Sequence, residues 1–140
     1  KDNYDLEDSH VLPALIHKTH LAKKNHSKSL SIWGTGKVRR EFMHVDDLAS
    51  ACIFLSEKSH SHELINIGTG KDITIHELAI EIMNAVGFDG SIKYDTSEED
   101  GSPQKLLDIS ILNELGWKAK IPLSAGIIKV YDDFKNERHE

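Results

Sequence analysis

The sequence predicts an α/β fold in which helical residues outnumber strand residues by more than two to one. Three observations support this prediction. Short apolar runs that end at glycine turns are typical of strands, and several longer segments space their apolar residues three and four positions apart, as one face of a helix requires. The two kinds of segment alternate along the 140 residues without a repeat or a flexible linker, which indicates a single unit.

The first half of the chain is predicted to contain two helices and two short extended segments. A helix is expected over residues 9–24, with Asp8-Ser9 as its cap. A strand is expected over residues 30–33, and a second extended segment over residues 40–44. Asp46 is then expected to cap a second helix, whose apolar positions are Leu48, Ala51, Cys52 and Leu55.

The second half begins with a predicted strand and a strongly marked helix. Residues 64–67 are predicted to form a strand buried on both faces, because their apolar character hardly alternates before a glycine turn. Thr74 and Glu77 have the spacing of a capping box, in which each side chain bonds the backbone N–H of the other residue. The apolar spacing that follows predicts a helix, and Gly87 is expected to close it in a left-handed conformation.

The last part is predicted to contain a brief strand and two helices. The strand is expected over residues 91–94, followed by a polar loop over residues 95–104. Asp108 is expected to cap a short helix that ends at Gly116. Pro122 is expected to begin the final helix, with one apolar stripe formed by Ile127, Val130, Tyr131 and Phe134.

Composition argues against several classes of function. The net charge of −6 disfavours a groove that follows nucleic-acid phosphates, and no apolar run approaches the roughly 20 residues that span a bilayer. Cys52 is the single cysteine, so an internal disulfide framework is excluded, and a cytoplasmic location is expected. The chain opens at Lys1 without an initiator methionine, which favours a fragment of a longer protein over a trimmed terminus.

The obvious motifs do not support a complete nucleotide fingerprint or a metal site. Two Gly-Thr-Gly turns, at residues 34–36 and 68–70, lack the third glycine that lets a helix approach a pyrophosphate. The nine histidines do not show the spacing of a zinc motif, so no metal is expected. A stronger signal is the set of cations and one aromatic at segment ends, namely Trp33, Arg39, Arg40 and Lys105. Such groups suit a diphosphate pocket, although an ordinary charged surface is the alternative.

These residues lie within stretches that resemble a known family. Residues 40–49, with the sequence Arg-Glu-Phe-Met-His-Val-Asp-Asp-Leu-Ala, resemble the segment shared by extended short-chain dehydrogenase/reductases that act on nucleotide sugars. Residues 2–4 with 9–15, residues 33–36 with 39–41, and residues 100–108 resemble the GDP-L-fucose synthases. The resemblance implies a C-terminal, substrate-binding part of such an enzyme, and a homodimeric parent protein.

The resemblance also implies a reaction and a set of site residues. The family converts GDP-4-keto-6-deoxy-mannose to GDP-L-fucose with NADPH, by epimerisation and then reduction. His10 would lie by the nicotinamide and the sugar and act as the proton donor in epimerisation, which suits an imidazole near neutral pH. The positions expected to hold the GDP-sugar are Lys18, Trp33, Arg40, Asp100 and Lys105.

Two departures and one absence qualify this expectation. Glu98-Glu99 stands where the family often has Lys-Pro, and Gln104 where it often has Arg. The Gly-rich turn and the Ser/Tyr/Lys reduction site belong to an N-terminal half that would bind most of the NADP(H).

Residues 40–70 are expected to pack on that half. Cys52 is not the epimerisation base, and the 140 residues alone are expected to be inactive. Alternatives are an epimerase or dehydratase for another nucleotide sugar, and a stand-alone binding domain without catalysis.

Overall fold

The computed structural model describes residues 3–5, 9–97 and 99–138. In this part of the chain the helices contain more than three times as many residues as the strands, which confirms the predicted α/β class and its helical excess. The helices are α1 (Val11–Lys24), α2 (Val45–Glu57), α3 (Ile75–Val86), α4 (Ser110–Leu115) and α5 (Leu123–Arg138). The strands are β1 (Ser29–Trp33), β2 (Arg39–Glu41), β3 (Asp72–Thr74), β4 (Ser91–Asp95) and β5 (Gln104–Lys105).

The strands form two small sheets. In the first, β1 and β4 are parallel, and their register runs from Ser29 opposite Ser91 to Trp33 opposite Asp95. In the second, β2 is the central strand, antiparallel to β3 and parallel to β5. Arg40 therefore has Lys105 as its neighbour on β5.

Most of the core lies where α1, α3 and α5 pack together and against β1. The side chains that are almost completely buried there include Ile16, Ile32, Leu78, Ile82, Ile127 and Phe134. Burying one such side chain contributes about 1.5–3 kcal/mol relative to leaving it in water, so this cluster supplies the main packing energy. A second, smaller cluster contains Ala51 of α2, Leu112 of α4 and Trp117.

Helix α3 confirms its sequence prediction at both ends. Thr74 Oγ1 accepts the N–H of Glu77 (3.1 Å), and Glu77 Oε2 accepts the N–H of Thr74 (2.9 Å). Gly87 ends the helix in the left-handed conformation, with φ at 71°. The brief strand at 91–94, the short helix that ends at Gly116 and the final helix are also confirmed, with Ile127, Tyr131 and Phe134 buried.

The predicted caps of α1 and α2 are wrong. Helix α1 begins at Val11 with His10 as its N-cap, because the hydroxyl of Ser9 is bonded to the carbonyl oxygen of Asp5; Asp8 lies outside the described residues. In α2 the N-cap is His44, whose Nδ1 accepts the N–H of Asp46 (3.2 Å). The Asp46 carboxylate is bonded instead to Lys129 (3.0 Å).

Two predicted extended segments differ from the structure. Strand β2 covers only residues 39–41, because those are the residues that pair with β3 and β5. Residues 64–67 form no strand, and the side chain of Leu64 is 81% exposed. A strand buried on both faces requires a neighbouring strand and cover on each side, and the described chain provides neither at this segment.

The apolar stripe predicted for α2 is only partly buried. Ala51 is fully buried and Leu55 is half-buried against the second cluster, as the spacing predicts. Leu48 and Cys52 are exposed. Among the described residues, no helix combines the length and apolar character needed to cross a membrane.

Candidate functional site

Four of the six predicted site residues line one cavity, which we call the α1–β1 cavity. It has a volume of about 180 Å³ and lies between α1, β1, β2 and the loop of residues 96–103. Its apolar wall includes Leu15, Ile32 and Ile75, and its polar lining residues are Lys18, Trp33, Arg40, Glu99 and Asp100. The two cations arise from separate elements, so their convergence is a property of the fold.

Lys18 and Trp33 form one side of the cavity. The Nζ of Lys18 lies 4.4 Å from the centroid of the Trp33 ring, at the distance of a cation–π interaction. Burial lowers the pKa of Lys18, and the nearby Asp95 carboxylate opposes this effect. The indole is 55% exposed, so much of its surface is free to contact a flat ligand group.

Arg40 lies at the base of the loop of residues 96–103. Its Nη1 donates to the carbonyl oxygens of Arg39 (2.7 Å) and Ser102 (2.8 Å). Its Nη2 is beside Gly101, 3.3 Å from the place where a Cβ of residue 101 would stand. The guanidinium is thus held in position while it lines the cavity, an arrangement suited to binding phosphate oxygens.

Asp100 fastens the same loop to the first Gly-Thr-Gly turn. Thr35 donates its backbone N–H to Oδ1 of Asp100 (2.9 Å) and its hydroxyl to Oδ2 (2.5 Å). These hydrogen bonds, with a smaller contribution from the charge of Lys37, lower the pKa of Asp100. Because each carboxylate oxygen has two acceptor sites, Asp100 can still accept a hydrogen bond from a ligand.

The other two predicted residues do not line the cavity. The side chain of His10 is exposed at the start of α1 and makes no capping hydrogen bond, and the next residue, Val11, lines the cavity. Lys105 is exposed on β5, where it is the register partner of Arg40. Residues paired in this way point to the same side of a sheet, so Lys105 extends the positive charge of Arg40 along that side.

Gln104, one of the departures from the family pattern, lies on the other side of the sheet. Its amide bonds the Asp72 carboxylate, which also pairs with Nε of Arg39 (2.8 Å). Because side chains alternate along a strand, Arg39 and Gln104 point away from Arg40 and Lys105. The second departure is the pair Glu98-Glu99. Glu98 lies outside the described residues, whereas Glu99 lines the α1–β1 cavity and adds negative charge there.

A larger cavity of about 850 Å³ lies on the Arg39 side of β2. It is lined by both acids and bases, among them Arg39, Lys71, Asp72 and Glu77. None of the six predicted site residues contributes to it. Convergence of the predicted residues, and not cavity size, therefore selects the α1–β1 cavity as the candidate site.

Sequence reasoning missed three residues that hold backbone segments in place, two at the Gly-Thr-Gly turns and the third, Asp47, outside the α1–β1 cavity. Thr35 binds Asp100, Glu41 binds the second Gly-Thr-Gly turn, and Asp47 is a 4% exposed carboxylate whose Oδ2 accepts the N–H groups of Lys120 (3.0 Å) and Ile121 (2.8 Å). The turns themselves were the available signal, because exposed N–H groups in glycine turns attract carboxylates. Within the described ranges, no group of three or more His, Cys, Asp or Glu side chains could hold a metal ion.

Known proteins are similar to this chain in both sequence and fold. Residues 1–68 match the NAD dependent epimerase/dehydratase family. A probable GDP-L-fucose synthase 1 from Oryza sativa subsp. japonica is 47% identical over 131 residues, which are 94% of this chain and 40% of that protein. The chain is similar to the GDP-L-fucose synthases over almost its whole length. The chain spans less than half the length of the curated relatives that it matches.

Two solved structures that contain NADP are similar in fold to this chain. A GDP-L-fucose synthetase from Naegleria fowleri bound to NADP has a TM-score of 0.90 at 27% identity, covering 99% of this chain and 44% of that one. MlghC, a GDP-mannoheptose C4 reductase from Campylobacter jejuni with NADP bound, has a TM-score of 0.81 at 36% identity, covering 96% and 49%. The chain described here as helices α1–α5 and strands β1–β5 therefore has the α/β fold of the epimerases and reductases of the short-chain dehydrogenase/reductase class.

Proposed function

We propose that this chain is the C-terminal, substrate-binding part of a protein that converts GDP-4-keto-6-deoxy-D-mannose to GDP-L-fucose with NADPH. The observation that carries the proposal is the convergence of Lys18, Trp33, Arg40 and Asp100 on the α1–β1 cavity. The 47% identity to a probable GDP-L-fucose synthase supports the choice of substrate.

Each residue that lines the cavity has a role that follows from its chemistry. The guanidinium of Arg40 would bind the diphosphate, with Lys18 as a second positive charge. The indole of Trp33 would pack on the flat face of the base or the sugar. The carboxylate of Asp100 would accept hydrogen bonds from ligand hydroxyl or amino groups, and Lys105 would extend the positive field along β5.

His10 is proposed as the proton donor in epimerisation. Its imidazole is exposed and makes no capping bond, and the next residue, Val11, lines the cavity. An imidazole can return a proton to the ring carbon of an enediolate near neutral pH. NADPH would supply the hydride that reduces the ketone, and we propose that the N-terminal part of the protein binds most of this cofactor.

Residues 40–70 are proposed to pack on that cofactor-binding part. Val45, Leu48 and Ile53 of α2 and Leu64 are exposed apolar side chains in this region. Several exposed apolar side chains in one region are typical of a surface that another domain covers. We further propose a cytoplasmic location, in keeping with the single cysteine, and a homodimeric parent protein, as the family resemblance implies.

Calorimetry with GDP, UDP and dTDP tests the nucleotide. We expect the chain to prefer GDP, and Arg40→Gln to weaken GDP binding about tenfold or more, because a charge-assisted hydrogen bond to phosphate is lost. Arg39→Gln is a matched control, since Arg39 is the neighbouring residue of the same type on the opposite side of β2. A preference for UDP, or equal effects of the two variants, would contradict the proposal.

Activity assays test whether the chain is active without the N-terminal part, and which sugar is the substrate. With NADPH and GDP-4-keto-6-deoxy-mannose, the 140-residue chain alone is expected to give no turnover, and substantial turnover would refute this expectation. A second candidate is reduction of a GDP-heptose, which the 36% identity to a GDP-mannoheptose C4 reductase favours. The rates of reduction of GDP-4-keto-6-deoxy-mannose and of a GDP-keto-heptose, measured in the protein that contains both the cofactor-binding and the substrate-binding part, would distinguish the two candidates.

A further inference from the structure

We propose that Glu41 is a positioning residue for the nucleotide-sugar site, because its carboxylate holds the backbone that carries Lys105 beside Arg40. Glu41 lies on β2 directly after Arg40, on the side of the strand that faces away from the α1–β1 cavity. It would therefore act on the site through the backbone of other segments. The consequence for ligand binding rests on the proposed function.

One oxygen of Glu41 occupies the second Gly-Thr-Gly turn. Oε1 accepts the backbone N–H groups of Thr69 (2.5 Å) and Gly70 (2.6 Å), and the Thr69 hydroxyl (3.1 Å). Successive N–H groups that converge in this way form a nest for an anion. Gly68 makes room for it, because a Cβ there would stand 2.6 Å from Oε1.

The other oxygen holds the segment that follows β5. Oε2 accepts the backbone N–H of Leu107 (3.0 Å), two residues after Lys105. On the other side of Lys105, the chain is held by the bonds from Arg39 N–H to the Pro103 carbonyl (2.8 Å) and from Arg40 Nη1 to the Ser102 carbonyl (2.8 Å). Glu41 thus fixes the backbone after Lys105 to β2, and Arg39 and Arg40 fix the backbone before it.

This hold matters because β5 is only two residues long. A strand of that length forms few ladder hydrogen bonds and is marginal by itself. Without the bond to Leu107, the chain after Lys105 would move relative to β2, and Lys105 would no longer be held in register with Arg40. The order of the site would then decrease although no group that touches the ligand had been changed.

Amide hydrogen exchange tests the hold without any ligand. In Glu41→Gln the side chain has one acceptor oxygen and an NH₂ group, so it cannot accept from both the nest and Leu107. We expect exchange at Leu107, or at Thr69 and Gly70, to become about tenfold faster or more, which corresponds to the loss of one hydrogen bond. The amides of Lys120 and Ile121, which Asp47 binds, should keep their rates; unchanged exchange at Leu107, Thr69 and Gly70 would overturn the proposal.

A double-mutant cycle with GDP tests the consequence for the site. We expect Lys105→Met to weaken GDP binding about fivefold in the wild-type background and less than twofold in Glu41→Gln, because the charge in that variant is already misplaced. Asp47→Asn is the matched background: it also loses a carboxylate that binds backbone N–H groups, those of Lys120 and Ile121, but away from the α1–β1 cavity, and there the fivefold effect should persist.

Three outcomes separate the possible failures. Equal effects of Lys105→Met in all three backgrounds would overturn the positioning role while leaving the proposed function intact. Absence of GDP binding by the wild-type chain would contradict the proposed function and the claimed effect on the ligand, whereas the exchange data would still decide the hold. If Glu41→Gln does not fold, Gly68→Ala displaces the same carboxylate, and it must reproduce the faster exchange and the reduced effect of Lys105→Met.

Discussion

Gly34 and Gly116 have similar backbones in very different surroundings. Both lie in the left-handed region, with φ at 69° and 100°. A Cβ on Gly34 would overlap the Asp100 carboxylate, whereas a Cβ on Gly116 would meet nothing within 4 Å. The pair therefore separates the cost of the backbone conformation from the cost of disturbing the loop contact with Asp100.

We expect Gly34→Ala to be the more destabilising of the two alanine variants. Both should lose about 1–2 kcal/mol from the left-handed backbone, and Gly34→Ala should lose roughly 1 kcal/mol more because the bonds between Thr35 and Asp100 are disturbed. Urea denaturation of both variants measures the difference in the free energy of unfolding. Equal losses would mean that the contact with Asp100 contributes nothing to stability.

At this scale, the sequence singled out residues that converge in the structure, but not the residues that support them. Trp33, Arg40 and Asp100 fall in motifs of the family resemblance, Lys18 lies outside them, and the fold brings all four to one cavity. The role of Glu41 was missed because its partners at Thr69 and Leu107 lie 28 and 66 positions away. Contacts over such separations depend on the register of β2 with its neighbours, which no local pattern encodes.

The loop of residues 96–103 is an element that two side chains fasten to the rest of the protein. Asp100 binds Thr35 at one point, and Arg40 binds the Ser102 carbonyl at another. Hydrogen bonds from Thr35 lower the pKa of Asp100 below its ordinary value of 3.8. A carboxyl whose pKa is lower in the folded state stabilises that state above the unfolded pKa, and loses this effect as the pH falls through the folded pKa.

We therefore expect the loop contact to persist from neutral pH down to 3.8 and to weaken only below it. The amide chemical shift of Thr35, followed by NMR during an acid titration, reports the bond directly. Its midpoint should lie below 3.8, and in Thr35→Val, which lacks the hydroxyl, it should move up toward that value. A wild-type midpoint at or above 3.8 would show that Thr35 does not stabilise the carboxylate.

Elements were predicted well where their signals are local. Helix α3 has a capping box at one end and a left-handed glycine at the other, and both lie within the helix or directly beside it. The strand expected at residues 64–67 was wrong because a strand depends on a pairing partner, which apolar character alone does not specify. The cap of α1 was wrong because Ser9 has a competing bond to Asp5.

At the scale of the whole molecule, the outer face of α2 should become buried in the longer protein. Cys52, the single cysteine of the chain, is exposed on this helix. We expect a maleimide to react with Cys52 at least about tenfold more slowly when the cofactor-binding part is attached, because the thiol must first become accessible through local opening. The two reaction rates can be followed by mass spectrometry.

A second cysteine provides the control for this experiment. Ser124 is exposed near the start of α5, so Ser124→Cys should react at the same rate in the isolated chain and in the longer protein. Equal protection at both positions would indicate a general change in the protein. Equal reactivity of Cys52 in both proteins would contradict the proposed packing of residues 40–70.

The parallel pairing of β1 with β4 has a consequence for the kinetics of folding. Ser29 meets Ser91 only after the chain has passed through β2, α2, β3 and α3, so the pair closes a long loop. The entropy of closing that loop is lost before the contacts compensate for it, which slows the search for the native topology. We expect stopped-flow refolding to show α3 forming before this pair, and a newly synthesised chain to expose the unpaired edge of β1 until the segment around Ser91 has emerged from the ribosome.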